Sequence, residues 1–179
     1  MNIPNLITSL RFLLIPIFVY YFFSTIHYGL EISIVIFLLS GLTDIMDGYI
    51  ARKYNQITKL GMVLDPLADK LMLITVLVSV TLSNNIPIWI ISIVTFKEIL
   101  MIIGAFSLLK ENNVVVPANI FGKLSTLLAY IAIIAVLFEL PLNRQILYAY
   151  VAVTILALLV YLKGFLSIKK QEQYDLIKK

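Results

Sequence analysis

Residues 43–70 read TDIMDGYIARKYNQITKLGMVLDPLADK and place four aspartates, Asp44, Asp47, Asp65 and Asp69, in a chain otherwise suited to dissolving in lipid. At 100° per residue, Asp44, Asp47, Gly48 and Ala51 fall within an arc of about 100° on one helix. Gly61, Asp65 and Asp69, spaced by four, fall within about 80° on the next. Two antiparallel helices joined by a short loop can turn these stripes toward each other. Four carboxylates then converge on one cavity lined otherwise by Gly48, Ala51 and Gly61. Small residues there let a ligand or a neighbouring backbone approach closely.

Such a cluster is costly. Inserting an ionised Asp at a helix centre costs about 2.5–3.5 kcal/mol, so four reach on the order of 10 kcal/mol. Opening to water lowers that cost, and divalent cations lower it further. Without a cation the carboxylates repel one another. All-oxygen ligation with no Cys and no nearby His suits Mg²⁺ or Mn²⁺, or Ca²⁺, and disfavours Zn²⁺. Mg²⁺ is commonly held by a few carboxylates together with substrate phosphates. The pattern therefore points to a metal site for a phosphate-bearing substrate at the membrane face. A simpler account pairs the aspartates with Arg52, Lys53, Lys59 and Lys70, but it leaves the two one-sided stripes unexplained.

The rest of the chain supplies the membrane context. Of its 179 residues, 61% are hydrophobic and only 13% charged, with a mean hydropathy of +0.99; a soluble domain carries roughly a quarter charged residues. The apolar residues come in blocks near 10–27, 30–52, 60–83, 87–109, 117–140 and 145–165, each about long enough to cross a bilayer as a helix. Turn chemistry breaks them at SNNIP (83–87), KENN (110–113) and ELPLNR (139–144). The expected architecture is all-α, a polytopic membrane protein of six transmembrane helices forming a single domain over 1–179. Tyr20, Tyr21, Tyr28, Trp89, Tyr148 and Tyr150 fall toward block ends, where amphipathic rings favour the headgroup zone. The N-terminal run reads as a retained first span, because Arg11 comes late, Pro16 interrupts it and no small-residue cleavage site follows.

Six spans put both termini on one side. With that side cytosolic, all of the 14 basic residues except Lys97 and Arg144 lie on it, Arg11 among them. The 43–70 hairpin then opens to the cytosol. The net charge of +4 sits at block ends and expresses topology, not nucleic-acid binding.

Asp44, Asp47, Gly48, Ala51 and Arg52, followed after residues 53–60 by Gly61, Asp65 and Asp69, resemble the signature of the CDP-alcohol phosphatidyltransferase family, D-x2-D-G-x2-A-R-x8-G-x3-D-x3-D. Every fixed position matches at the right spacing. The resemblance implies a six-helix membrane enzyme that cleaves the pyrophosphate of a CDP-linked lipid, usually CDP-diacylglycerol. The phosphatidyl group passes to an alcohol and CMP leaves. It further implies that Asp44, Asp47 and Asp65 hold the metals, Mg²⁺ or Mn²⁺, and that Asp69 is the general base and also touches a second metal. Gly48, Ala51 and Gly61 would border the cytidine nucleotide. Arg52 would contact phosphate or brace Asp44 or Asp47 from behind. A homodimer in the cytoplasmic membrane, with the active site facing the cytosol, is implied as well.

For the acceptor, NIPNLITSLR with Asn5, Thr8 and Arg11, together with LGMVLDPLADKL (60–71) and GKLST (122–126), looks like the family members that use glycerol 3-phosphate. In those, the lysine matching Lys123 meets the acceptor's phosphate. Those members typically carry an Arg-Glu pair in the fourth span and another arginine eight residues on. Here the pair is Lys97-Glu98 and the later position is Ala105, so a bidentate guanidinium is replaced by a point charge. Lys97 and Glu98 inside an apolar block are functional candidates, with Lys97 a second acceptor-binding residue; the alternative is a mutual ion pair with snorkelling. KEILMIIGAFSLL also looks like the cardiolipin-forming members, whose acceptor is phosphatidylglycerol. Glycerol 3-phosphate is the first expectation and phosphatidylglycerol the alternative. A reading from another class, a divalent-cation or proton transporter, accounts for intramembrane aspartates but expects acidic residues in the opposite membrane half, where only Glu31 and Glu139 sit at the boundary.

Overall fold

The computed structural model describes residues 3–53, 61–83, 85–112 and 119–177. Among them the chain forms α1 (Ile3–Phe23), α2 (Gly29–Lys53), α3 (Gly61–Leu82), α4 (Ile88–Asn112), α5 (Ile120–Leu137) and α6 (Asn143–Ile177), and no strand. The all-helical expectation is met, with each helix on one apolar block. Three stretches, Ile88–Leu108, Ile120–Leu137 and Asn143–Lys170, are long and apolar enough to cross a membrane, while α1 carries a shorter apolar stretch, Ser9–Phe23. α2 and α3 carry the signature's charged residues at the ends that succeed each other in the chain. The last helix outruns its apolar block, because SIKKQEQYDLI after Gly164 contains good helix formers and no proline.

Two compact units are present, Met1–Asn84 and Asn85–Lys179. In the first, α1, α2 and α3 pack against one another. The buried face of α3 runs through Ala68, Met72, Leu73, Val76, Leu77 and Val80, the i, i+4 rows that Asp65 and Asp69 extend toward the start of the helix. On α2 the buried positions Ser33, Phe37 and Ser40 continue in the same way to Asp44. Asp44 and Asp69 are thus the polar ends of packing faces.

The α1–α2 connection is tight. Gly29 donates its N–H to the Ile26 carbonyl at 2.9 Å, and Ser24 Oγ donates to the Tyr21 carbonyl at 2.8 Å. Tyr28 takes a left-handed φ of 70°, and a Cβ at Gly29 would stand 2.8 Å from the Tyr21 carbonyl oxygen and 2.6 Å from Ser24 Oγ. Only glycine fits that approach.

In the second unit α6 packs against both α5 and α4. The α5 face is built on Ala129, Ala132, Ile133, Ala135 and Val136, and small side chains let helices approach closely. The intervening turn, at the expected 139–144 break, uses left-handed Glu139 and Leu142, with Leu140 N–H bonded to the Ala135 carbonyl at 2.8 Å. Against α4, Tyr161 donates its hydroxyl to the Met101 carbonyl at 3.1 Å, and Gly104 leaves room for the ring.

The surface inverts the usual partition. Phe96, Ile99, Ile103, Phe106, Ile155, Leu156, Leu159 and Leu166 are exposed, while Arg11, Ser33, Ser40, Ser79, Lys97, Glu98, Ser125 and Thr154 are buried. Contiguous exposed apolar faces of this kind suit lipid. Buried hydroxyls satisfy themselves locally, Ser79 on the Thr75 carbonyl and Ser33 on that of Leu30. This is a membrane protein.

Candidate active site

Asp44 and Asp69 are the two signature carboxylates whose side chains the structure describes. Asp44 lies about two turns before the end of α2 and Asp69 about two turns after the start of α3, and the two helices pack together. The charges of Asp69 and Lys70 reach Asp44 through space. The two halves of the signature are thus carried on helices that pack together. The side chains of Asp47, Gly48, Ala51, Arg52, Gly61 and Asp65 lie outside the described residues, although their backbones belong to α2 and α3. Among the described residues no three His, Cys, Asp or Glu side chains gather around one point.

The partners of the two carboxylates differ from those the sequence offered. Asp44 accepts from Arg11 Nη1 at 2.8 Å, and the Arg11 side chain is fully buried while Asp44 retains 39% exposure. The Arg11 guanidinium is enclosed by protein; it lies on the buried side of α1 with Phe18, seven residues on, and meets α2. An interior guanidinium has to meet a carboxylate, because an arginine cannot shed its charge. The simpler pairing account holds for Asp69, which lies 3.3 Å from Lys70 Nζ. Sequence reasoning missed the role of Arg11. The signal was there: an ionisable residue inside an apolar helix is a functional candidate by the same rule that flagged Lys97.

The donor set fits a hard divalent cation. Asp44 has one oxygen, Oδ1, committed to Arg11, leaving Oδ2 to accept elsewhere, and Asp69 adds carboxylate oxygen from the facing helix. Oxygen-only donors suit Mg²⁺ or Mn²⁺.

A second polar cluster lies in the other unit. Lys97 Nζ donates to Glu98 Oε1 at 2.7 Å, with the two side chains 4% and 2% exposed. The expected mutual ion pair is present, but both residues are enclosed by protein instead of snorkelling outward. Tyr150 on α6 is buried in the same unit, as is Thr154 one turn further along that helix. Thr154 Oγ1 in turn lies 2.8 Å from Ser125 Oγ on α5. Tyr150 is thus an interior residue, 1% exposed, and not part of an interfacial ring as its place near a block end suggested. Trp89 and Tyr148, by contrast, are exposed and stack at 6.1 Å.

Lys123 occupies the first turn of α5 and is exposed. Asn119 caps that helix, its side-chain oxygen accepting from Gly122 N–H at 2.7 Å. The lysine therefore sits at the positive end of a helix dipole, where anions are favoured.

Comparison with known proteins adds a separate line. A family model described as CDP-alcohol phosphatidyltransferase matches residues 1–161. The chain is 34% identical to a CDP-diacylglycerol–glycerol-3-phosphate 3-phosphatidyltransferase of Bacillus subtilis, the match covering 76% of each. A protein of the same name from Aquifex aeolicus is 34% identical over 76% of this chain and 75% of its own. Another from Rickettsia typhi is 33% identical over 74% of both.

Proposed function

The chain belongs to the CDP-alcohol phosphatidyltransferase family, and on that premise we propose that it transfers a phosphatidyl group from CDP-diacylglycerol to glycerol 3-phosphate, releasing CMP. The observation that carries this reading is the packing of α2 against α3, which bear the two halves of the signature. Asp44, Asp47, Asp65 and Asp69 hold the divalent cations, and Gly48, Ala51, Arg52 and Gly61 border the cytidine nucleotide. Bound Mg²⁺ supplies neutralisation of the pyrophosphate charge as CMP departs. Asp69 takes the proton from the acceptor hydroxyl as that oxygen attacks the phosphorus adjoining the diacylglycerol, and the bond to the CMP oxygen breaks. Holding both substrates in line removes much of the entropic cost of their encounter. The site faces the cytosol from the cell membrane, and the protein acts as a homodimer.

Lys123 binds the acceptor's phosphate, supported by its exposure and its place at a helix N-terminus. Lys97 is the second acceptor-binding residue in this reading. Its pairing with Glu98 lowers the cationic charge on offer to a dianionic phosphate, which favours a second reading in which the acceptor is the diester phosphatidylglycerol. The names of the relatives support glycerol 3-phosphate.

Asp69→Asn tests the reaction. Losing a general base lowers rates by about 100-fold or more, so CMP release from CDP-diacylglycerol and glycerol 3-phosphate should fall at least that far in a protein that still elutes as a folded species. Near-normal CMP release contradicts the assignment.

A further inference from the structure

We propose that Arg11 is a positioning residue for the cation site: from α1 it fixes the Asp44 carboxylate so that Oδ2 is presented to a divalent cation. The inference rests on the phosphatidyl-transfer reading, in which Asp44 is a metal ligand. Arg11 Nη1 binds Asp44 Oδ1 at 2.8 Å, and the guanidinium is fully enclosed. Its place in the fold is set by its face, since Arg11 and Phe18 share the buried side of α1 and α1 packs on both α2 and α3. Asp44 ends the row Ser33, Phe37, Ser40 on α2, and the enclosed Arg11 cannot swing away without opening a helix interface. A carboxylate on a helix has several χ1 and χ2 settings; a buried donor on a neighbouring helix selects one of them. Groups that orient a ligand from behind in this way typically set metal affinity by about 10–100-fold.

Two physical effects of removing the guanidinium have opposite signs. If Arg11 acted only as a nearby positive charge, neutralising it would make the carboxylates more negative and draw a cation more tightly. If it orients Asp44, its loss weakens binding. The sign separates the two accounts.

The test measures Mn²⁺ binding by electron paramagnetic resonance, without lipid substrates, on detergent-purified wild type, Arg11→Gln, Arg11→Lys, Asp44→Asn and the double variant Arg11→Gln/Asp44→Asn. Arg11→Gln should weaken Mn²⁺ about 10-fold or more, Arg11→Lys by less, and Arg11→Gln should add nothing once Asp44 is Asn. Unchanged or tighter Mn²⁺ binding in Arg11→Gln overturns the inference, as does an undiminished further loss in the Asp44→Asn background. Should Arg11→Gln fail to elute as a single species, Arg11→Lys decides alone: weaker binding than wild type supports positioning, and equal or tighter binding overturns it. CMP release by the wild type is assayed in parallel. Wild type that binds Mn²⁺ yet transfers nothing refutes the reaction reading while leaving the Arg11 result intact, and wild type that binds no Mn²⁺ removes the cation site and this inference with it.

Discussion

Arg11 against Asp44, Lys97 against Glu98 and Lys70 against Asp69 set cations beside carboxylates at 2.8, 2.7 and 3.3 Å. Arg11, Lys97 and Glu98 are fully or almost fully enclosed, where removing the partner leaves an uncompensated charge. The first two pairs differ in reach. Lys97 and Glu98 are sequence neighbours and need no other helix to find each other, whereas Arg11 and Asp44 are brought together only by folding. That difference explains what was legible: the Lys97–Glu98 pair could be read from adjacent letters, while the partner of Arg11 depended on which face of α1 met α2. Lys123, outside any such pair in its exposed helix turn, is the residue whose charge is available to a small anion. Replacing Lys123 by Gln should raise the KM for glycerol 3-phosphate by roughly 10–100-fold, the worth of one charged hydrogen bond, with kcat nearly unchanged; steady-state kinetics at saturating CDP-diacylglycerol checks this. An equal fall in kcat at unchanged KM would place the lysine elsewhere in the reaction.

At the scale of the helix, the sequence pattern located each element to within a few residues but missed how elements end. The sixth apolar block stops near 165, and the helix continues to Ile177, because hydropathy reports the lipid boundary while helicity depends on propensity and the absence of proline. The two acidic stripes were legible because helical periodicity alone puts i, i+4 residues on one face; the packing of the helices that carry them follows from buried faces that Asp44 and Asp69 extend. The left-handed Tyr28 carried no signal in its letters, since bulky residues seldom adopt that conformation. Gly29 beside it is the more testable position. Gly29→Ala forces a Cβ to within 2.8 Å of the Tyr21 carbonyl oxygen, so the α1–α2 turn must shift. The expected cost is about 1–3 kcal/mol, seen as a lower Tm in detergent, with transfer activity reduced in proportion because α1 carries Arg11. An unchanged Tm would mean that the turn is not a fixed element.

Across the whole molecule, the distribution of polarity matters more than any single span. Large apolar side chains face outward, while Arg11, Lys97, Glu98 and several Ser and Thr are buried among apolar core residues, the partition expected where the solvent is hydrocarbon and each polar group must find a partner within the protein. The two acidic stripes belong to the unit Met1–Asn84, and Lys97 and Lys123 belong to Asn85–Lys179. The family match spans both. Acceptor identity is the property that separates the proposed reaction from its alternatives. Purified protein should therefore be given CDP-diacylglycerol and Mg²⁺ with glycerol 3-phosphate and phosphatidylglycerol side by side, and the lipid formed identified by mass spectrometry. The account predicts phosphatidylglycerophosphate and an equal amount of CMP; cardiolipin formed from phosphatidylglycerol, or cation flux in vesicles with no CMP at all, would contradict it.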